Sequence, residues 1–138
     1  MKVLVFGPTI DPVEGAAGSA IGFRTFIEVL RKVDFVTIHV ITTDLYMTES
    51  NLHELKKAFG ENFTLIKTIS LLNNLFKSPI LFPKKSFNEL YKIVENNDVI
   101  YIRSFWNVTS ILIFIMAFKK NKVIISASTG KLAAVAHL

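Results

Sequence analysis

The sequence KVLVF at residues 2–6 is apolar at every position after its lysine, the pattern of a strand that is buried on both faces of a sheet. A loop of mostly small side chains follows at residues 7–18, and residues 19–32 carry an apolar stripe at helical spacing. A doubly buried strand that leads into a helix is typical of the first unit of a parallel α/β sheet.

The same alternation continues along the chain. Further strands are predicted at residues 35–42, 63–69, 98–102 and 122–126, and further helices at 50–59, 86–96 and 107–119. Ser50, Ser86 and Asn107 are expected to cap these helices, and Gly60 to end the first of them. Residues 70–85 fit no regular element, because two prolines interrupt them. We therefore predict an α/β, Rossmann-like three-layer sandwich with a mainly parallel sheet of about five or more strands.

A length of 138 residues corresponds to one domain. We expect residues 1–126 to form that domain. Residues 127–138 are interpreted as a carboxy-terminal tail, which could form a further helix or derive partly from a cloning vector.

The composition is apolar, with 51% hydrophobic residues and a mean hydropathy of +0.43, which excludes disorder and favours deep burial or contact with a membrane or partner. The longest apolar run, residues 111–118, is shorter than the roughly 20 residues that cross a bilayer. The absence of cysteine excludes disulfides and suits a reducing compartment, so we expect a cytoplasmic protein.

A net charge of +5 allows attraction to nucleotides, anionic lipids or nucleic acid. Nucleic acid is not expected, because the basic residues are scattered and no recognition motif accompanies them. The three histidines are too far apart for a metal site, and carboxylates such as Asp11 and Asp44 fit loop or capping roles. We predict no metal and no catalytic residue in this domain.

Two loops at the carboxyl ends of predicted strands are candidates for ligand binding. In the first loop, the small residues of the stretch 14–20 lead into a helix whose positive end could meet a phosphate or sugar. Alternatively, these small residues could serve only to let the helix pack closely on the sheet. In the second loop, Arg103 could pair with an anion and Trp106 could stack on a sugar ring or base. Alternatively, Arg103 could be a surface cation and Trp106 a core residue. The predicted binding residues are Glu14, Gly15, Ala16, Gly18, Arg103, Ser104 and Trp106.

Residues 75–87 mix aromatic and aliphatic side chains with lysines. Such a segment could lie among lipid headgroups, or it could be an irregular loop that folds back onto the core. The candidate membrane contacts are Phe76, Lys77, Phe82, Lys84, Lys85 and Phe87.

Several of these segments, in this order, resemble the amino-terminal domain of glycosyltransferase family 4, the group 1 glycosyltransferases of the GT-B fold. The resemblance lies in Glu14-Gly15 and Gly18, in residues 26–30 and 35–43, in residues 97–107 and in residues 122–126. The chain differs from the family pattern at several positions: Ala16 replaces a usual glycine, and Tyr101 and Arg103 replace histidines. After Ser126, residues 127–130 replace the usual Pro-Arg-Gly.

The resemblance implies a nucleotide-sugar-dependent transferase of glycan or polysaccharide synthesis, whose amino-terminal domain holds a sugar or lipid-linked acceptor. It implies no cofactor in this domain. The nucleotide-diphosphate sugar donor would be bound by a separate carboxy-terminal domain, without which transfer is expected to be negligible. An anionic membrane surface is a further expected partner, at the inner face of the membrane.

Two other interpretations are open at this point. The chain could be a non-catalytic α/β module that binds a nucleotide or a protein and shares only a common fold with the family. It could also be a subunit that is completed by a separate donor-binding chain.

Overall fold

The computed structural model describes residues 1–14, 17–75, 79–84, 87–105, 107–128 and 131–136. Its strands are β1 (Lys2–Phe6), β2 (Thr37–Thr43), β3 (Phe63–Ile66), β4 (Val99–Arg103), β5 (Val123–Ser128) and β6 (Lys131–Ala136). Its helices are α1 (Ala17–Leu30), α2 (Glu49–Phe59), α3 (Ser70–Leu75), α4 (Asn88–Glu95) and α5 (Val108–Lys119), with a 3-10 turn at Gly60–Asn62.

The strands form one sheet in the order β3-β2-β1-β4-β5-β6. Strands β1 to β5 are all parallel, and β6 pairs with β5 in the antiparallel direction. The predicted α/β, Rossmann-like fold with a mainly parallel sheet is confirmed. Because the chain winds outward from β1 first through β2 and then through β4, the order reverses between β1 and β4.

Helices cover both faces of the sheet, as the apolar run at residues 2–6 predicts. Val3 and Val5 of β1 pack with the buried side chains of α1 and α2, including Phe23. Leu4 and Phe6, which point the other way, pack with α4 and α5. Alternate residues of one strand therefore enter two separate cores, which is why β1 lacks the polar alternation of a half-exposed strand.

Residues 127–128 and 131–136 extend one edge of the sheet. Strand β5 continues to Ser128, and residues 131–136 form β6, not the further helix that the sequence left open. A short stretch of alanine, leucine and valine has no clear period of its own, so pairing with β5 decides its conformation.

The ends of the helices differ in part from the sequence prediction. Thr48, not Ser50, caps α2: its Oγ1 accepts a hydrogen bond from the Asn51 N–H at 3.1 Å, and Asn51 Oδ1 accepts one from the Thr48 N–H at 3.1 Å. The prediction for Ser50 was wrong because this reciprocal pair satisfies two free N–H groups at once. Gly60 ends α2 with a φ of 59°, as expected of a glycine. Ser86 lies outside the described residues.

The stretch at residues 70–85, predicted to contain no regular element, includes the short helix α3 and an irregular segment at residues 79–84. Thr68 and Pro83 form an antiparallel bridge beside the end of β3. Leu81 is buried with a φ of 55°, and both of its backbone groups are bonded: its N–H to Asn73 Oδ1 at 2.9 Å and its carbonyl to Thr109 Oγ1 at 2.6 Å. This part of the segment folds back onto the core.

Candidate functional site

The candidate site lies at the carboxyl edge of the sheet, at the ends of the neighbouring strands β1 and β4. Strand order reverses between these two strands, and in open parallel sheets such a reversal leaves a crevice in which ligands bind. The two loops that the sequence singles out are the two that flank this crevice.

Three residues form a row across the sheet at this edge. Phe6 is in register with Ile41 and with Ile102, so the next positions, Gly7, Thr42 and Arg103, lie side by side. Side chains alternate along a strand, so Arg103 shares the face of Tyr101, whose ring stacks on Phe26 of α1 at a centroid distance of 4.4 Å. Arg103 therefore projects onto the α1 side of the sheet.

The guanidinium of Arg103 packs against α1 at Gly22. Its Nη2 lies 2.9 Å from the position that a Cβ at Gly22 would occupy. Its Nε is buried and has no hydrogen-bond partner. The ion pairs found among the described residues join Arg24 and Arg31 to Glu28 and Lys120 to Glu95, and none of them includes Arg103. The half-buried guanidinium of Arg103 therefore has no counter-ion in the described part of the chain.

The first turn of α1 lies one helical turn before Gly22 and exposes Gly18, whereas Ala20 is buried. Gly18 is exposed, and a Cβ added there would meet nothing within 4 Å. Close packing therefore explains Gly22 and Gly7 but not Gly18. The first turn also carries no acidic side chain that would offset the positive end of the helix.

The predicted binding residues fall into three groups. Arg103, Ser104 and Gly18 belong to the elements that flank the crevice, and Glu14 lies exposed at the end of the described part of the first loop. The backbone of Ser104, with a φ of 65°, holds the loop in place. Its N–H donates to Ala127 O at 3.0 Å, and its carbonyl accepts a hydrogen bond from Asn107 Nδ2 at 3.1 Å. The remaining predictions, Gly15, Ala16 and Trp106, lie outside the described residues.

Asn107 is the N-cap of α5, as the sequence predicts. Its Oδ1 accepts a hydrogen bond from the Ser110 N–H at 2.9 Å, while its Nδ2 holds the Ser104 carbonyl. Its side chain is buried, so these bonds form away from water. One residue therefore fixes both the start of α5 and the loop that follows Arg103.

A second polar group, which the sequence analysis did not assign to a site, lies beyond β2 and β3. Asp44 Oδ1 accepts hydrogen bonds from Thr68, from its N–H at 3.0 Å and from its Oγ1 at 2.6 Å, and Asn73 Nδ2 donates to the same Thr68 Oγ1 at 2.9 Å. These residues line a cavity of about 220 Å³, together with Leu45, Tyr46 and Ser70. The only sequence signal was a carboxylate directly after a buried strand.

One histidine is perturbed but lies away from the crevice. His39 is half-buried in β2, and its Nε2 is 2.8 Å from Thr64 Oγ1 of β3. Burial lowers the pKa of His39 because the charged imidazolium loses hydration. Within the described ranges, no group of three or more histidine, aspartate and glutamate side chains could hold a metal ion.

The candidate membrane segment is only partly exposed. Phe82 and Phe87 are 37% and 38% exposed with their ring centroids 6.4 Å apart, and Lys84 between them is exposed. Leu81 and Pro83 are buried. Phe76, Lys77 and Lys85 lie outside the described residues. Where the chain is described, none of its helices combines the length and the apolar character needed to cross a bilayer.

Comparison with known proteins identifies no family and no function for this chain. The resemblance to group 1 glycosyltransferases thus stays a prediction that rests on the order of its sequence segments. No protein-family model matches the chain, and no curated protein or solved structure is significantly similar to it.

Proposed function

We propose that this chain is the amino-terminal, acceptor-binding domain of a nucleotide-sugar-dependent glycosyltransferase. The observation that carries the proposal is the guanidinium of Arg103, which lies beside α1 at the strand-order reversal and has no counter-ion among the described residues. The same arginine lies in the segment at residues 97–107 that resembles the family, at a position where the family pattern has a histidine.

The acceptor that fits this crevice carries an anionic group. A guanidinium binds phosphate or carboxylate through several parallel N–H donors, and the first turn of α1, where Gly18 is exposed, adds a positive partial charge nearby. Gly18 leaves room for such a group to approach the backbone. A sugar phosphate or a lipid-linked sugar meets these requirements.

The chemical step requires a second domain. This domain contributes acceptor binding, and a carboxy-terminal domain would bind the nucleotide-diphosphate sugar and stabilise the charge that develops on the leaving diphosphate. We therefore expect the chain alone to bind acceptor and to transfer sugar at a negligible rate.

The first test is binding of glucose 1-phosphate, followed by amide chemical shifts of the isotope-labelled protein. We expect saturable shifts in residues 17–22 and 103–105, and much weaker shifts with glucose, which lacks the anion. Arg103→Gln should weaken binding by about tenfold or more. The matched control is Arg31→Gln, which removes the same charge from an exposed site outside the crevice. Equal binding by both variants would contradict the role of Arg103.

A second test addresses transferase identity. A donor-binding domain encoded in the natural gene beyond residue 126 supports the proposal, and a native stop codon shifts weight to a stand-alone module. A subunit completed by another chain would instead show transfer only when that chain is added.

The alternative of a nucleotide-binding module is favoured by one observation. Asp44 follows β2, and a carboxylate near that position binds ribose hydroxyls in dinucleotide-binding domains. Titration with UDP-glucose and with NAD separates the two proposals. Tight binding of a free nucleotide by this chain supports the module, whereas binding of sugar phosphate without nucleotide supports the acceptor domain.

We further propose that the domain docks at the inner face of the membrane through Phe82, Phe87 and Lys84. Two neighbouring exposed rings beside a lysine suit insertion among anionic headgroups. Co-sedimentation with anionic vesicles should decrease when Phe82 and Phe87 are both changed to serine. Equal partitioning of the variant and the parent protein would remove this part of the proposal.

A further inference from the structure

We propose that the cavity formed by Asp44, Tyr46, Ser70 and Asn73 binds the vicinal diol of a sugar ring. The proposal rests on the proposed function in one respect: it supplies a subsite for an uncharged sugar ring at the same edge of the sheet as the anion-binding crevice of the acceptor domain. The cavity measures about 220 Å³ and opens at the carboxyl edge of the sheet, beyond β2 and β3.

The carboxylate of Asp44 is held in position through one oxygen only. Both hydrogen bonds from Thr68 go to Oδ1, and Thr68 is itself 2% exposed. Nothing in the described part of the chain donates a hydrogen bond to Oδ2, and that atom is not among the buried side-chain atoms without a partner. Asp44 thus offers the cavity a fixed, solvent-accessible acceptor.

The neighbouring side chains complete a surface that suits a ring bearing hydroxyls. Asn73 is fixed at both ends of its amide, by Thr68 Oγ1 at 2.9 Å and by the Leu81 N–H at 2.9 Å, so it helps to hold the cavity wall rigid. Ser70 is exposed and can both donate and accept. Tyr46 is 53% exposed and offers an aromatic ring with a polar end.

The negative charge of Asp44 determines which classes of small ligand the cavity can bind. A carboxylate that accepts hydrogen bonds attracts hydroxyl donors and repels phosphate, so the cavity is unsuited to the anion expected at Arg103. It is also unsuited to a divalent cation, since the described residues include no cluster of three possible ligands. Two adjacent hydroxyls can donate to Oδ2 of Asp44 and to Ser70 together, which a single alcohol cannot do.

The two subsites lie on the same edge of the sheet. Asp44 follows β2 and Arg103 ends β4, with β1 between these strands, so the strand ends are about 10 Å apart.

The diol could belong to a pyranose acceptor or to the ribose of a nucleoside, and three probes distinguish these sources. Isotope-labelled protein is titrated with methyl α-D-mannopyranoside, uridine and 2′-deoxyuridine up to about 50 mM, a range that detects millimolar affinity. We expect saturable amide shifts at residues 44–46 and 68–73 with the mannoside. Preference for uridine over both other probes would assign the diol to ribose, and would overturn the acceptor-sugar subsite in favour of the nucleotide-binding alternative.

Variants test the residues and separate this inference from the proposed function. Asp44→Asn keeps an oxygen for Thr68 and should weaken mannoside binding by about tenfold. Asp34→Asn, on an exposed turn, is the matched control and should bind as the parent protein does. Tyr46→Asn, which tolerates the φ of 58°, should also weaken binding and guards against misfolding of the first variant.

Two further outcomes overturn the subsite. Either no probe shifts residues 44–46 at the highest concentration, or Asp44→Asn and Tyr46→Asn fold and bind the mannoside unchanged. Glucose 1-phosphate binding at Arg103 would survive both outcomes if the proposed function is correct, so the two failures can be told apart.

Discussion

Arg103 and Gly22 are complementary in shape: the guanidinium of the arginine fills the space that a side chain at residue 22 would need. Nη2 would be 2.9 Å from an added Cβ, with Cζ at 3.7 Å. The contact joins the end of β4 to the second turn of α1, the two elements that flank the strand-order reversal. Gly22 therefore determines where the positive charge of Arg103 lies.

Gly22→Ala should displace the guanidinium and weaken glucose 1-phosphate binding severalfold. Stability should change by no more than about 1 kcal/mol, because the displaced atom ends a flexible side chain and alanine is the better helix former. Urea unfolding and the binding titration measure the two effects. Gly18→Ala, at an open position of the same helix, controls for helix propensity in the unfolding measurement only. Unchanged affinity in Gly22→Ala would show that the position of Arg103 does not matter.

Gly7→Ala should destabilise the fold by about 1–3 kcal/mol, the usual effect of overpacking a core. An added Cβ would lie 2.5, 2.6 and 2.9 Å from three ring atoms of Phe23, which is fully buried and cannot move aside. Gly18→Ala should be neutral or stabilising by up to about 1 kcal/mol, since nothing lies within 4 Å. Denaturant midpoints of the two variants test this ordering, and equal midpoints would contradict it.

The sequence alone was enough to predict those features of the fold that neighbouring residues determine. The apolar run of β1, the cap at Asn107 and the glycine that ends α2 each follow from a few neighbouring residues. The alternation of such elements was enough to predict a parallel α/β sheet, because helices must cover both faces of doubly buried strands.

The sequence was insufficient where distant residues decide. Strand β6 exists because β5 offers a pairing edge, and Asp44 is fixed by Thr68, which is 24 positions away in sequence. The contact of Arg103 with Gly22 depends on the angle at which α1 crosses β4, which no local pattern encodes. The candidate site is built from such distant contacts, so its loops could be predicted but its geometry could not.

Thr109→Val should destabilise the protein by about 1–3 kcal/mol, because it leaves the carbonyl of Leu81 buried without its donor. The Thr109 hydroxyl donates to that carbonyl at 2.6 Å, and both residues are buried. Thr25→Val is the matched control: its hydroxyl bonds the Ile21 carbonyl at 3.0 Å on an exposed helical face, so water can replace it. Thermal or urea unfolding gives both values. Similar losses in the two variants would mean that burial of the Leu81 carbonyl is unimportant.

Asn107→Ala should cost about 1–2 kcal/mol through loss of the α5 cap. It should also loosen residues 103–105, because Nδ2 no longer holds the Ser104 carbonyl. Asn107→Ser restores a capping oxygen but not that second bond, so it should recover stability more than it recovers glucose 1-phosphate binding. Unfolding and titration of both variants check this, and parallel recovery of the two properties would contradict separate roles.

The pH dependence of stability should contain a contribution from His39. Burial lowers the pKa of His39 in the folded protein below its ordinary value of 6.5, so the unfolded chain takes up a proton at a higher pH than the folded one. Above pH 6.5 both states are neutral and the contribution vanishes. As the pH falls below that value, the free energy of unfolding should decrease by at most about 1.4 kcal/mol per pH unit, until the folded pKa is reached.

His39→Gln should remove this slope, while His53→Gln on the exposed face of α2 should keep it. Urea unfolding across this pH range makes the comparison, and an equal slope in both variants would assign the effect to other groups.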